Sequence, residues 1–105
     1  MLCDDSALEK LDSLLGALHD LAAAYSALGN HHRAMCLYEE VYRLRCEVLG
    51  AEHPDTLSAL YNLSLAHKGL GEHQKALEVR DQAYELACKI YGEEHPNAQM
   101  MLKGW

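Results

Sequence analysis

The sequence predicts an all-α chain of about five antiparallel helices, two full helix-pair repeats followed by one terminal helix. Three observations carry that prediction. The chain is rich in Leu and Ala, with two Pro and no Phe, a composition that favours helix. Its apolar residues recur at spacings of three and four, the period of a helix with one buried face. The sequence also repeats itself 42 residues further on, within the range of periods that mark stacked supersecondary units.

The repetition is dense. His53-Pro54 returns as His95-Pro96, Gly50 as Gly92, and Leu28-Gly29 as Leu70-Gly71. The same offset relates Leu18 to Leu60, Leu21 to Leu63, His31 to His73, Ala34 to Ala76, Tyr42 to Tyr84 and Cys46 to Cys88. The 105 residues allow one small domain. Within it, residues 6–50 read as a first repeat with an extended first helix, 51–92 as a second, and 93–105 as the first helix of a partial third.

Each element has its own start and stop. The first helix opens on Ser6-Ala7-Leu8-Glu9, a capping box in which Ser accepts from orphan N–H groups and Glu reaches back. Its apolar face is Leu8, Leu11, Leu15, Leu18, Ala22 and Tyr25, and Leu28-Gly29 closes it. Asn30 can cap the second helix, which carries Ala34, Leu37, Tyr38, Val41, Leu44, Val48 and Leu49 to Gly50. Pro54 suits the first turn of the third helix, because its missing N–H would be unpaired there. Asp55 adds negative charge at the positive end of that helix dipole. Leu57, Leu60, Leu63 and Leu70 form its apolar face, and Gly71 ends it. The fourth helix spans about His73 to Tyr91, with Ala76, Leu77, Ala83, Tyr84, Ala87 and Ile90 inward and Gly92 as its stop. Pro96 opens the fifth, which takes Asn97 to Trp105.

Composition excludes several functions. Nine Lys+Arg against 16 Asp+Glu give a net charge of −7, spread over both halves of the chain. No basic patch emerges, so nucleic acid and anionic membrane are poor partners. No apolar run is long enough to span a bilayer, and the acidic start Asp4-Asp5 does not suit a signal peptide. A cytoplasmic protein is expected. Cys3, Cys36, Cys46 and Cys88 form no Cys-x-x-Cys pair and are expected to be reduced thiols, buried or half-buried. His32 and Cys36, four apart, could share a metal ion on one helix face, but two ligands make no site. Neither metal nor cofactor is expected. Adjacent acids such as Glu39-Glu40 and Glu93-Glu94 point about 100° apart on a helix, which suits solvated charge rather than a catalytic dyad. There is no Gly-rich phosphate loop and no nucleophile elbow. No enzyme activity is expected.

The residues between the helices resemble a known family. Two-helix units with small residues at fixed places resemble tetratricopeptide repeats, and the longer unit resembles the kinesin light chain type. Gly50-Ala51-Glu52-His53-Pro54-Asp55-Thr56 fits that type's linker in full. Gly92-Glu93-Glu94-His95-Pro96-Asn97-Ala98 fits it with two changes. Ala59-Leu60-Tyr61-Asn62-Leu63 resembles the family's Asn-Leu start of the first helix. The family's packing positions fall on Leu21, Ala22, Tyr25, Gly29, Ala34, Tyr38 and Val41, then on Leu63, Ser64, His67, Gly71, Ala76, Arg80 and Ala83. His67 and Arg80 stand where aromatics are usual, and Val41 where Ala is usual.

The resemblance implies a right-handed superhelix whose first helices line a concave groove for a peptide or partner protein. The matching groove positions are Tyr61, Asn62, Leu65 and Lys68 in the second unit and His19, Asp20, Ala23 and Ser26 in the first. Lys103 and Gly104 match them in the third. Asn62 leads, because an amide can both donate to and accept from an extended backbone. Asp20 and Asn62 occupy places where chaperone-clamping relatives need Lys or Arg, so a C-terminal Glu-Glu-Val-Asp peptide is not an expected ligand. A neutral or basic partner is favoured over an acidic one. Two further readings stay open: a homo-oligomer joined through Met100, Met101, Leu102 and Trp105 of the C-terminal helix, and a regulatory domain of a larger signalling protein.

Overall fold

The computed structural model describes residues 5–103, with side chains described for 10, 11 and 13–102. It contains α1 (Asp5–Ala27), α2 (His31–Leu49), α3 (Pro54–Gly69), α4 (His73–Tyr91) and α5 (Pro96–Lys103). There is no strand among the described residues. Each helix packs antiparallel on the next. The molecule measures 46 × 33 × 18 Å, and its shortest dimension holds two helix layers at the usual 8–10 Å spacing. The first helices α1, α3 and α5 form one layer, and α2 and α4 form the other.

Two kinds of joint alternate. Inside a pair, the last turn folds back on itself. The Asn30 N–H donates to the Tyr25 carbonyl (2.8 Å) and the Gly29 N–H to that of Ser26 (3.0 Å). Glu72 with His67 and Gly71 with Lys68 repeat the pattern at 3.0 Å each. These are Schellman closures. Between pairs, Gly50 and Gly92 take φ/ψ of 97/156° and 97/155°, a region where a Cβ would be strained. Their N–H groups hydrogen bond to Cys46 and Cys88 carbonyls. The next helix is then capped by an imidazole. His53 Nδ1 accepts from the Asp55 N–H at 3.0 Å, and His95 Nδ1 from the Asn97 N–H at 3.1 Å.

The core lies in two clusters along the seam. Ala22, Ala34, Tyr38, Leu63 and Ala66 form one, and Leu57, Leu60, Ala83, Ala87, Ala98 and Met101 the other. Alanines let neighbouring helices approach closely where a larger side chain would hold them apart. Cys46 and Cys88, equivalent by sequence, are equivalent in space too. Both are half-buried beside a tyrosine hydroxyl four residues earlier. The Tyr42 phenol is pushed up chiefly by burial, that of Tyr84 chiefly by its hydrogen bond with Cys88.

Several sequence expectations need correction. Helix α1 already includes Asp5, so Ser6 lies within it rather than capping it. The side chains of Ser6, Leu8, Glu9 and Lys103, together with Cys3, Gly104 and Trp105, fall outside the described residues. Leu77 is exposed, not inward, and Cys36 is exposed where most cysteines were expected to be buried or half-buried. Leu21 is exposed by position in the stack: 46% of it is open, whereas Leu63, 42 residues on, is 7% open. Leu14 at 55% against Thr56 at 0% tells the same story. The α3 residues lie against α2, and no described helix lies against α1 from that side.

Candidate partner-binding face

Helix α3 separates its residues cleanly. Thr56, Leu57, Ala59, Leu60, Leu63, Ser64, Ala66 and His67 are buried. The opposite stripe is Pro54, Ser58, Tyr61, Leu65 and Lys68, at spacings of four and three. Thus three of the expected positions, Tyr61, Leu65 and Lys68, share one line on the outer side of α3. Lys68 is exposed, Leu65 is 37% open and Tyr61 is half-buried. Asn62 sits off that line, on the side of α3 that faces α1.

There it meets a residue from the first pair. The Asn62 amide nitrogen stands 3.2 Å from His19 Nε2. On its other side the His19 ring has Arg45 Nη1 3.5 Å from Nδ1, and it packs edge-on to Tyr38 at 5.5 Å. The same Arg45 nitrogen donates to the Asp55 carbonyl at 3.0 Å. A guanidinium has no acceptor, so His19 Nδ1 must accept. The proton then belongs on Nε2, and an amide oxygen is the group that suits it. Amide orientation is assigned from such networks. With the oxygen turned to His19, the Asn62 NH₂ faces outward as a donor. Burial first, and the Arg45 charge second, lower the His19 pKa against the opposing pull of Asp20 and Asp55. The ring is therefore neutral at pH 7, as the hydrogen bonds require. Asp20 and Ala23 are exposed on α1 and Ser26 is half-buried.

Tyr61 belongs to a different grouping. It lines a hollow of about 180 Å³ between α3 and α5, with Pro54, Leu57, Ser58, Tyr91 and Met100 among the walls. Tyr91 is stacked on His95, with centroids 4.5 Å apart. A second hollow of about 330 Å³ opens between α1 and α2, against Leu21, Tyr25, His32 and Cys36. Among the described residues no third His, Cys, Asp or Glu joins His32 and Cys36.

Sequence reasoning missed Arg45, which fixes the His19 tautomer, and the grouping of Pro54, Ser58 and Tyr91 with Met100 in the α3–α5 hollow. The stripe Pro54, Ser58, Tyr61, Leu65 was readable as a helical line. Arg45 was not, because its partner is 26 residues away in sequence.

One departure from the family pattern, His67, is resolved locally. Buried His67 pairs through Nδ1 with Glu72 Oε1 at 2.8 Å. This ties the end of α3 to the start of α4 and holds the Glu72 carboxyl below its usual range.

The family model for the tetratricopeptide repeat matches residues 13–89. No curated protein matches. Among solved structures, nearly identical tetratricopeptide-like repeats from a Podosopora anserina protein assigned as a kinesin light chain are 30% identical, with a TM-score of 0.73. The match covers 85% of this chain and 42% of that one, so this chain spans less than half of its length. No helix among the described residues is long and apolar enough to cross a membrane. A family model that covers most of the helices, and a solved neighbour with the same stack, agree with the glycine-closed pairs described above: the chain belongs to the tetratricopeptide repeat family.

Proposed function

We propose that this chain is a non-enzymatic, cytoplasmic interaction scaffold that holds an extended peptide or partner protein in a concave groove lined by the first helix of each repeat. The repeats are residues 6–50 and 51–92, with 93–105 supplying the first helix of a third. One observation carries the reading: α3 presents an uninterrupted line of mixed character, Pro54, Ser58, Tyr61, Leu65 and Lys68, alongside an Asn62 amide held against His19. Apolar anchors beside an amide suit a peptide, which offers side chains and backbone polar groups together. Asp20, Ala23 and His19 extend the surface onto α1. The acidic balance favours a neutral or basic partner over nucleic acid.

The test is affinity capture with the wild type beside a variant carrying Asn62→Ala and Leu65→Glu, both checked for helicity. Partners lost by the variant and kept by a distant control, Glu85→Gln, support the groove. Equal recovery by all three discards it.

A second reading, self-association, draws on exposed Leu14 and Leu21 at one end of the stack and Met100 and Leu102 at the other. Sedimentation across a concentration series decides it. A monomer throughout removes the homo-oligomer through the C-terminal helix.

A further inference from the structure

The hollow between α3 and α5 has walls of a particular chemistry. Its floor is apolar, from Leu57 and Met101, both buried. Its sides are two tyrosines, Tyr61 and Tyr91, with Met100 and Pro54. Tyr91 is held in place by its stack on His95. The surrounding charge is mostly acidic. Residues 46–67 and 90–102, which supply all of the walls, contain Glu47, Glu52, Asp55, Glu93 and Glu94 and no Lys or Arg. Glu52, Asp55, Glu93 and Glu94 are exposed.

The N-termini of α3 and α5 each contribute about half a positive charge. Glu47 is paired with Arg43 at 3.1 Å, and the four exposed carboxylates of Glu52, Asp55, Glu93 and Glu94 outnumber those dipole charges. His53 and His95 accept hydrogen bonds at Nδ1 as helix caps. Arg45 lies between His19 and the Asp55 carbonyl, and so offsets part of the charge at the start of α3. Counted together, the charges at the two turns remain negative.

We propose that this hollow receives the side chain of an arginine from a basic segment of the partner. The inference rests on the groove reading above and names the chemistry of one position in it. An arginine carries an aliphatic stem that suits Leu57, Met100 and Met101. Its planar guanidinium stacks on tyrosine faces, which lysine does less well. The head would then lie near Glu52, Glu93 and Glu94, which are exposed at the turns before α3 and α5. An acidic side chain meets repulsion there, and a plain aliphatic one leaves the negative rim unused. The hollow is sized for one large side chain, not for a small-molecule ligand of the usual pocket volume.

The probe is a fluorescein-labelled octapeptide of alternating arginine and alanine, titrated by anisotropy at low and at physiological ionic strength. Lysine–alanine and glutamate–alanine octapeptides are the comparisons. The arginine peptide is expected to bind several-fold more tightly than the lysine peptide, and the glutamate peptide not at all. Tyr61→Ala should weaken arginine-peptide binding by about tenfold, and Tyr61→Phe should retain it. Glu52→Gln with Glu94→Gln should weaken it, while Glu39→Gln with Glu85→Gln, an equal charge change on the second helices, should not. Equal losses from the two charge pairs would show diffuse attraction and overturn the assignment. So would equal affinity for the lysine peptide, or a Tyr61→Ala variant that binds as the wild type does. If Asn62→Ala with Leu65→Glu still loses captured partners in that case, the groove reading stands and only the arginine position falls.

Discussion

Gly16 and Gly69 both lie within helices, yet a methyl group added to each meets different surroundings. At Gly16 nothing stands within 4 Å of a built Cβ. At Gly69 the Cβ would lie 2.5 Å from His31 Nδ1 and 2.7 Å from Cγ. Gly16→Ala should therefore raise stability by about 0.5–1 kcal/mol, the helix-propensity difference. Gly69→Ala should lower it by roughly 1–3 kcal/mol, as overpacking does, and His31→Ala in the same chain should recover part of the loss. Urea unfolding of the three variants checks this. Titration is also read at single residues. The folded pKa of His19 lies below its ordinary 6.5, so between those two values the unfolded chain binds more protons. The His19 contribution is full above about pH 6.5 and is lost as pH falls through the folded value. His19→Gln should flatten the stability profile in that window. Glu72, also depressed, adds a second loss below its ordinary 4.5, and His67→Gln should diminish it. The charge on His19 could not be read from sequence, because Arg45 and Tyr38 of α2 and Asn62 of α3 converge on it.

At the scale of elements, the punctuation and the Asn30 cap of α2 were legible, and the histidine caps were not. Gly29, Gly50, Gly71 and Gly92 end helices, and Pro54 and Pro96 open them, because only backbone restrictions are at work and those belong to one residue each. The fourth helix has the bounds expected of it, His73 to Tyr91. The role of His53 was hidden, since histidine is not a usual N-cap. Its ring satisfies the Asp55 N–H at the start of α3, as His95 does for Asn97 in α5. His53→Ala should cost about 1 kcal/mol and His53→Asn should restore most of it, measured by thermal unfolding. A chemical cap predicts that order. A packing role for the ring predicts that both substitutions cost alike.

For the whole molecule, place in the stack decides what a residue is worth. Leu21 and Leu63 have the same identity and the same position in the repeat, but only Leu63 is covered. Leu63→Ala should cost about 2–5 kcal/mol, and Leu21→Ala, which removes little buried surface, under about 1 kcal/mol; denaturant midpoints compare them. The period of 42 revealed the fold, but it could not reveal this difference, which depends on neighbours rather than on sequence. The expected positions on the outer face divide the same way. Tyr61, Leu65 and Lys68 fell on one line because helical spacing is local, whereas Tyr61 joined Met100 only through the packing of α5 on α4. The Gly50 and Gly92 joints have dihedral angles equal to within a degree. Equal joints make the chain a screw, in which one rotation and one shift carry each unit onto the next. Misalignment at a joint is then passed outward as along a lever arm. A distortion at Gly50 would swing α3, α4 and α5 together, so the surface spanning His19 and Asn62 would shear apart while the α3–α5 hollow travelled intact.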